Sequence, residues 1–198
     1  MKAAAIILSG GNSRRMGTNK ALLKINEKTT IERIAGELRG FFDDILLVTN
    51  EPEVYRFLGL KMVPDHYPGR GPLAGVHAGL TASECEVNFV VACDMPFVSG
   101  QLAASLVNKV REYDAVVPVI SGKQHPLYAV YNKKIAGRAS QCIVNGQLRM
   151  KKVLDQLNVL FVTEEDLQTD SSITLDHCFF NMNHPEEYEE AKKWAEFT

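Results

Sequence analysis

The sequence has few cysteines, and their spacing excludes the common cysteine-based sites. The four are Cys85, Cys93, Cys142 and Cys178, and no two have the C-x-x-C spacing of zinc ribbons or thioredoxin-like redox motifs. Cys93 lies inside an apolar run, where a free thiol behaves as a small buried hydrophobic side chain. We therefore predict neither a zinc site nor a redox motif of these kinds.

Long apolar runs and an excess of positive charge are also lacking. No stretch approaches the roughly 18 apolar residues that a membrane-spanning helix needs. The short apolar start ends in glycines and arginines instead of a signal-peptide cleavage site. The formal net charge is −2, which argues against a nucleic-acid surface. These absences predict a cytoplasmic protein that binds neither membranes nor nucleic acids.

The apolar pattern alternates between strands and helices over the first 120 or so residues. Short apolar runs typical of buried parallel strands are Ala4–Leu8, Ile45–Val48, Val87–Cys93 and Ala115–Val119, with a shorter one at Leu60–Val63. Helix-like segments lie between or after them, at Thr30–Arg39, Glu51–Leu58, Leu73–Thr81 and Ser99–Val110. This alternation predicts an α/β fold with a doubly wound, mostly parallel sheet and helices on both faces.

The pattern changes after Ser121. We predict a half-exposed strand at Leu127–Tyr131 and helices at Lys134–Val144, Met150–Leu157 and Pro185–Phe197, with further strands at Asn158–Val162 and Cys178–Met182. No clear linker separates the two parts. We predict one domain over residues 1–198, with two parts at about 1–120 and about 121–198.

The first strand runs into a glycine-rich, cationic segment, Leu8–Lys20. Its glycines and cations are Gly10, Gly11, Gly17, Arg14, Arg15 and Lys20. Backbone amides in such a loop can line an anion site, and ligands usually bind where strands of an α/β sheet end. Three cations crowded together repel one another unless an anion joins them. The segment therefore predicts a polyphosphate cradle; the alternative is a plain turn with solvated arginines.

Two better-known phosphate cradles do not fit this segment. A Walker A loop needs Gly-Lys-Ser/Thr, but Lys20 is followed by Ala21. A dinucleotide fingerprint needs G-x-G-x-x-G, which the glycine spacing does not give. The second mismatch argues against an NAD-dependent dehydrogenase.

Two carboxylates stand where strands give way to loops. Asp65 lies at the start of the Gly/Pro-rich stretch that ends at Gly75. Its carboxylate can accept hydrogen bonds from a nucleobase or a ribose. The alternative is a solvated residue in a loop that leads into a helix. Asp94 follows the strand Val87–Cys93 and points to the crevice at the sheet edge. Because a buried charge needs a cation, Asp94 is a candidate Mg²⁺ ligand beside phosphates; the alternative is an N-cap or a structural salt bridge.

Three weaker signals lie in the second half. His125 precedes the alternating strand and can hydrogen-bond a substrate; an ordinary turn histidine is the alternative. Asn181 and Asn183 would face the same side of an extended segment before the last helix. Helix capping is the alternative for Asn183.

Taken together, these strings resemble the MobA family of molybdenum cofactor guanylyltransferases over nearly the whole chain. The family's opening Leu-Ala-Gly-Gly, its Ser-Arg-Arg-Met-Gly and a Lys correspond to Leu8–Lys20, and its Asp…Pro-Gly-x-Gly-Pro-Leu-x-Gly loop to Asp65–Gly75. Its Cys-Asp-x-Pro-Phe, His-Pro-Leu and Asn-x-Asn-x-Pro-Glu strings correspond to Cys93–Phe97, His125–Leu127 and Asn181–Glu186. Ser9 stands where the family usually has Ala, and His184 where Thr is common.

The resemblance implies a Rossmann-like fold of the nucleotide-diphospho-sugar transferase type and transfer of GMP from GTP to the phosphate of molybdopterin. It assigns nucleotide contacts to Leu8, Ser9, Gly10, Gly11, Lys20, Asn50, Asp65 and Asp94, and the metal Mg²⁺ to Asp94. His125, Asn181 and Asn183 would face the acceptor, and Lys20, Arg14, Arg15 and Asp94 would act in catalysis. The part at about 1–120 would thus be the nucleotide-binding half and that at about 121–198 the acceptor-binding half. Other cofactor-biosynthesis proteins and a recipient molybdoenzyme are further expected partners.

Two other functions stay open on the sequence. Relatives with the same opening loop transfer CMP to molybdopterin or activate sugar and isoprenoid phosphates. A nucleotide-binding, chaperone-like protein of the same fold would keep the phosphate loop without needing Asp94 as a metal ligand.

Overall fold

The computed structural model describes residues 2–10, 19–167 and 174–196. Within these ranges eight strands form one sheet and two more form a small hairpin. In chain order the strands are β1 Ala3–Leu8, β2 Lys24–Ile25, β3 Lys28–Thr29, β4 Asp44–Val48, β5 Lys61–Val63, β6 Val87–Ala92, β7 Ala115–Ile120, β8 Lys123–Gln124, β9 Tyr128–Asn132 and β10 Val159–Thr163. The helices are α1 Thr30–Arg39, α2 Pro52–Tyr55, α3 Pro72–Ala82, α4 Gly100–Val107, α5 Ala136–Val144, α6 Met150–Leu154, α7 Leu175–Cys178 and α8 Pro185–Ala195.

The main sheet has the strand order β10-β7-β9-β6-β1-β4-β5, with β8 added to β7. Strands β6, β1, β4 and β5 are parallel neighbours, and β10 is parallel to β7. Strand β9 is antiparallel to both β6 and β7, and β8 is antiparallel to β7. The predicted mostly parallel sheet is confirmed.

Helices cover both faces of the sheet, as predicted. Alternate residues of β1 divide between two buried clusters: Ala5 and Ile7 belong to one, and Ala4, Ile6 and Leu8 to the other. The first cluster includes apolar residues of α1 and α4, and the second includes those of α3, α5 and α6. A third, smaller cluster joins Ile25 of the hairpin to the inner face of α8.

Two helix starts follow the expected capping chemistry. The side chain of Thr29 accepts a hydrogen bond from the amide of Glu32, and the carboxylate of Glu32 accepts one from the amide of Thr29. This capping box begins α1. Oγ of Ser99 accepts from the amide of Leu102 at 3.2 Å and caps α4, at the residue where the predicted helix Ser99–Val110 begins.

The second half of the chain differs from prediction in two places. The strand expected at Leu127–Tyr131 to be half-exposed is β9, which lies between β6 and β7 and is buried on both faces. The strand expected at Cys178–Met182 is wrong: Cys178 ends the one-turn helix α7, and Phe179 has φ −99° and ψ 7°. The apolar side chains of this segment fill the core from a turn, so a short apolar run alone did not distinguish strand from helix.

Within the described residues, no helix is both long and apolar enough to cross a membrane.

Gly79 is required where α3 crosses the sheet, and Gly79→Ala should destabilise the fold. A Cβ at this position would lie 2.5 Å from Cγ2 of Ile6 and 3.2 Å from Cγ2 of Val48. We expect a loss of about 1–3 kcal/mol in the free energy of unfolding, because overpacking outweighs the helical preference of alanine. Urea denaturation measures it.

Gly36→Ala is the matched control, because a Cβ at this exposed helical position in α1 meets nothing within 4 Å. It should raise the free energy of unfolding by roughly 0.5–1 kcal/mol. A gain in stability for Gly79→Ala as well would contradict the close packing of α3 on β1.

Candidate active site

The predicted site residues of the first half lie at one edge of the sheet. Ser9, Asn50, Asp65 and Asp94 follow β1, β4, β5 and β6, which are adjacent and parallel. The carboxyl ends of such strands meet at one edge, where α/β proteins bind their ligands. Strand β9 runs antiparallel, so it begins at this edge and brings His125 to the same side. The fold therefore gathers these residues around a common crevice.

Asp94 has the least satisfied carboxylate in this crevice. Its Oδ1 is buried and has no hydrogen-bond partner among the described residues, and no described cation forms an ion pair with it. Burial raises the pKa of Asp94, while the positive charge of Lys20 acts in the opposite direction. An ionised Asp94 at neutral pH is thus stabilised by added positive charge.

Lys20 reaches across the crevice to the C-terminal segment. It begins a 3-10 turn, Lys20–Leu22, and its Nζ donates to Oδ1 of Asn183 at 2.9 Å. The amide of Met182 donates to the carbonyl of Asp94 at 2.9 Å. Three distant parts of the chain, near residues 20, 94 and 183, therefore meet at one point.

Glu187 fixes the segment that carries Asn183, and the sequence motifs did not single it out. Its Oε2 accepts from the backbone amides of Asn183 and His184. Glu187 lies in the first turn of α8, where a carboxylate satisfies free amides and favours the helix dipole. The pattern of a polar residue followed three positions later by Glu could have indicated this cap.

Asn50 and Asp65 form a linked pair after β4 and β5. The backbone amide of Asp65 donates to Oδ1 of Asn50 at 2.8 Å, and Oδ1 of Asp65 accepts from the amide of Tyr67 at 2.8 Å. Gly69 and Gly71, in the loop that follows, have φ of 77° and 75°, which favours glycine there. With respect to the described residues, the N–H donors of the Asn50 carboxamide and the second oxygen of Asp65 are thus left for a ligand.

Comparison with known proteins identifies the family. The family of MobA-like NTP transferase domains matches residues 5–160. The chain belongs to this family.

Its relatives cover nearly the whole chain. Two relatives are named "Probable molybdenum cofactor guanylyltransferase", one from Natranaerobius thermophilus and one from Pelotomaculum thermopropionicum, and each is 35% identical to this chain. The matches cover 96% and 99% of this chain, respectively, and 95% of each relative. The crystal structure of molybdopterin-guanine dinucleotide biosynthesis protein A from Archaeoglobus fulgidus has a TM-score of 0.85 at 25% identity, covering 98% of this chain and 100% of that one. The predicted MobA family and fold are confirmed.

A solved cytidylyltransferase shares the fold of this MobA-like protein. The 2-C-methyl-D-erythritol 4-phosphate cytidylyltransferase of Thermus thermophilus has a TM-score of 0.74 at 17% identity, covering 99% of this chain and 100% of that chain. At this identity the likeness shows the fold alone.

Of the MobA-like opening segment, the structure describes the start and the end. Leu8 is 8% exposed, and its side chain lies beside Gly75 of α3, while its carbonyl accepts from the amide of Cys93 at 3.0 Å. Gly10 is exposed, and a Cβ there would meet nothing within 4 Å. Gly11, Arg14 and Arg15 lie outside the described residues.

His125 and Asn181 contact the same aromatic residue of the MobA-like C-terminal segment. The ring of His125 packs 4.6 Å from that of Phe179, and burial lowers the pKa of His125 to about 4, so the imidazole is neutral at pH 7. Asn181 donates to the carbonyl of Phe179 at 3.0 Å. No strand forms at residues 181–183, and the two side chains have different partners, because Asn183 accepts from Lys20. That Asn181 and Asn183 both face the acceptor stays a prediction.

The described residues fit a metal ion that is coordinated partly by the protein and partly by a bound ligand. Among residues 2–10, 19–167 and 174–196, no three His, Cys, Asp or Glu side chains gather as a self-sufficient metal site. Of the carboxylates in these ranges, Asp94 alone offers a buried oxygen without a partner among the described residues. Mg²⁺ commonly takes one or two carboxylates, with waters and substrate phosphates as its other ligands, so a single Asp94 suffices.

Proposed function

We propose that this protein transfers GMP from GTP to the phosphate of molybdopterin, forming the guanine dinucleotide form of the molybdenum cofactor and releasing pyrophosphate. The observation that carries the proposal is Oδ1 of Asp94, which is buried without a partner among the described residues, beside the Lys20–Asn183 contact in a chain of the MobA-like family. Relatives that cover nearly the whole chain are named for guanylyl transfer to this cofactor.

The reaction makes modest demands on protein side chains. The acceptor is a phosphate monoester, already anionic at neutral pH, so attack on the α-phosphorus needs no general base. Pyrophosphate leaves on the opposite side, and negative charge grows on its oxygens. The protein must therefore hold two anions in line and offset their charge.

Asp94 would hold Mg²⁺ at the phosphates. When bound, the cation would offset phosphate charge and help orient the α-phosphate. Oδ1 of Asp94 is buried and has no hydrogen-bond partner among the described residues, so it is left for this ligand. We propose Asp94 as the protein's metal ligand on this basis.

Lys20 stabilises the leaving pyrophosphate in this proposal. An ammonium has three N–H donors, and Asn183 accepts from one of them at 2.9 Å, so two remain for phosphate oxygens. Asn183 orients Lys20, and Glu187 in turn holds the backbone of Asn183. Arg14 and Arg15 stay predicted helpers at the same phosphates.

The Asn50–Asp65 pair faces the nucleoside in this proposal. The second oxygen of Asp65 accepts from the guanine N–H groups or from a ribose hydroxyl, and the Asn50 carboxamide donates. Ser9 and the backbone from Leu8 to Gly11 contact the phosphates and sugar. His125, Asn181 and Asn183 contact the acceptor from the second half of the chain, and a recipient molybdoenzyme stays a predicted partner.

GTP should bind more tightly than CTP in the presence of Mg²⁺, by on the order of 100-fold. Guanine presents two neighbouring donors to a carboxylate, whereas cytosine does not, and a site built for those donors leaves its own acceptor unpaired with the wrong base. Titration of the protein with each of the four nucleoside triphosphates measures the preference. Asp65→Asn should reduce it, because an amide accepts at only one oxygen.

Release of pyrophosphate from GTP and molybdopterin tests the enzymatic reaction itself. Tighter binding of CTP than GTP would transfer the protein to the cytidylyltransferases of this fold and leave the roles of Lys20 and Asp94 standing. GTP binding without pyrophosphate release would favour a nucleotide-binding chaperone.

A further inference from the structure

Tyr55 joins the two ends of the segment that the sequence predicts to hold polyphosphate. Its hydroxyl accepts from Oγ of Ser9 at 2.7 Å and from Nδ2 of Asn19 at 2.8 Å. Ser9 immediately follows β1, and Asn19 immediately precedes Lys20. One hydroxyl therefore connects the start of this segment to its end.

The ring that carries this hydroxyl is fixed by packing in the core. Tyr55 is only 2% exposed, ends α2, and packs with residues of β1 and β4 in the larger core cluster. Burial raises the pKa of the phenol, so it stays protonated at neutral pH. A buried ring with few rotamers is a stiff anchor for its hydrogen bonds.

Asn19 links Tyr55 to the turn that carries Lys20. Its Nδ2 donates to Tyr55, and its Oδ1 accepts from the amide of Ala21 at 3.1 Å, so the carboxamide is fixed at both ends. The carbonyl of Asn19 accepts from the amide of Leu22 at 3.0 Å, and that of Lys20 from Leu23 at 3.2 Å. These bonds shape the turn from which the Lys20 side chain extends.

We propose that Tyr55 is a positioning residue, which acts through Asn19 to aim Lys20 at the phosphates of the bound nucleotide. The proposal rests on the proposed role of Lys20. A long side chain amplifies any error in the turn at its base, and a misplacement of about 1 Å can lower a rate roughly 100-fold. Tyr55 itself contacts neither the substrate nor the reacting atoms.

The test uses Tyr55→Phe, which keeps the buried ring and removes the hydroxyl. Tyr128→Phe is the control, because Tyr128 is also buried and its hydroxyl also bridges two groups, the backbone amide and carbonyl of Ser99. In nucleotide-free protein, Tyr55→Phe should speed hydrogen exchange at the amides of Ala21, Leu22 and Leu23 by about 10-fold. Tyr128→Phe should leave these three amides unchanged.

Nucleotide binding gives the second readout. Tyr55→Phe should weaken GTP binding by about 10-fold and GMP binding by less than about 2-fold, because GMP lacks the phosphates that Lys20 would contact. In a Lys20→Ala background the same change should have little further effect on GTP, since both variants act through one group. Additive effects would overturn the route through Lys20.

The two readouts separate this proposal from the proposed function. Unchanged exchange at the three amides in Tyr55→Phe would overturn the positioning role, whatever nucleotide the protein prefers. Failure of the wild-type protein to bind any nucleoside triphosphate would instead overturn the proposed function, and with it the role assigned to Lys20.

Discussion

Asp94→Asn should lower guanylyl transfer by on the order of 1,000-fold or more. The amide is nearly isosteric with the carboxylate but carries no charge, so it is a poor ligand for Mg²⁺. The side chain lies where β6 opens into the crevice, and its buried Oδ1 has no partner among the described residues. Steady-state release of pyrophosphate from GTP and molybdopterin, with Mg²⁺ varied, measures the loss.

The fold of this variant should be intact, which separates a lost ligand from a misfolded protein. Burial raises the pKa of Asp94, so its ionised form is disfavoured in the folded protein and the neutral amide removes that penalty. The melting temperature without metal should therefore stay the same or rise. Asp65→Asn is a useful comparison, because it should change the choice of base while keeping metal-dependent turnover. Near-normal turnover by Asp94→Asn would show that the metal is held elsewhere.

Strong local signals made the first half of the fold predictable. The apolar runs at β1, β4, β6 and β7 are short, continuous and separated by helix signals, and these four strands run in the same direction in the sheet. A parallel strand that is buried on both faces is apolar throughout, so its pattern survives without knowledge of its neighbours. The carboxylates and amides that follow these strands could then be assigned to one edge of the sheet.

The second half was harder because its segments take their structure from distant partners. Tyr128–Asn132 alternates in sequence, yet the side chains on both faces are buried, since tyrosines 128 and 131 place their hydroxyls on backbone groups of Ser99 and Pro126. The run from Cys178 to Met182 is apolar except for Asn181, because its apolar side chains pack into two buried clusters, and the amide of Met182 donates to the carbonyl of Asp94. No local pattern contains that contact.

The part that Tyr55 and Glu187 have in supporting the site was not visible in the sequence. The sequence pattern marks Tyr55 as a core residue and Glu187 only as an acid in the first turn of α8. Their partners, Asn19 for Tyr55 and the amide of Asn183 for Glu187, become visible only when the chain is folded. Motifs identify groups that can meet a ligand, whereas the residues that orient those groups are set by tertiary contacts.

Lys20→Ala should weaken GTP binding and turnover by roughly 10- to 150-fold, the equivalent of a charge-assisted hydrogen bond of about 1.5–3 kcal/mol. The loss should be larger in turnover than in GTP binding, because charge on the departing pyrophosphate grows in the transition state. GMP binding should change little. Isothermal titration with both nucleotides and steady-state kinetics give the three values.

Lys24→Ala is the matched control. It also removes one positive charge, from an exposed side chain of the hairpin that lies four positions after Lys20. The charge of Lys20 also offsets the cost of burying the Asp94 carboxylate, so the Lys20→Ala variant should melt at a lower temperature. The double variant with Asp94→Asn should recover part of that loss, because it no longer buries this charge. Equal and small effects of Lys20→Ala and Lys24→Ala on GTP would place Lys20 among ordinary solvated residues. Its contact with Asn183 would then only hold the C-terminal segment to the 3-10 turn.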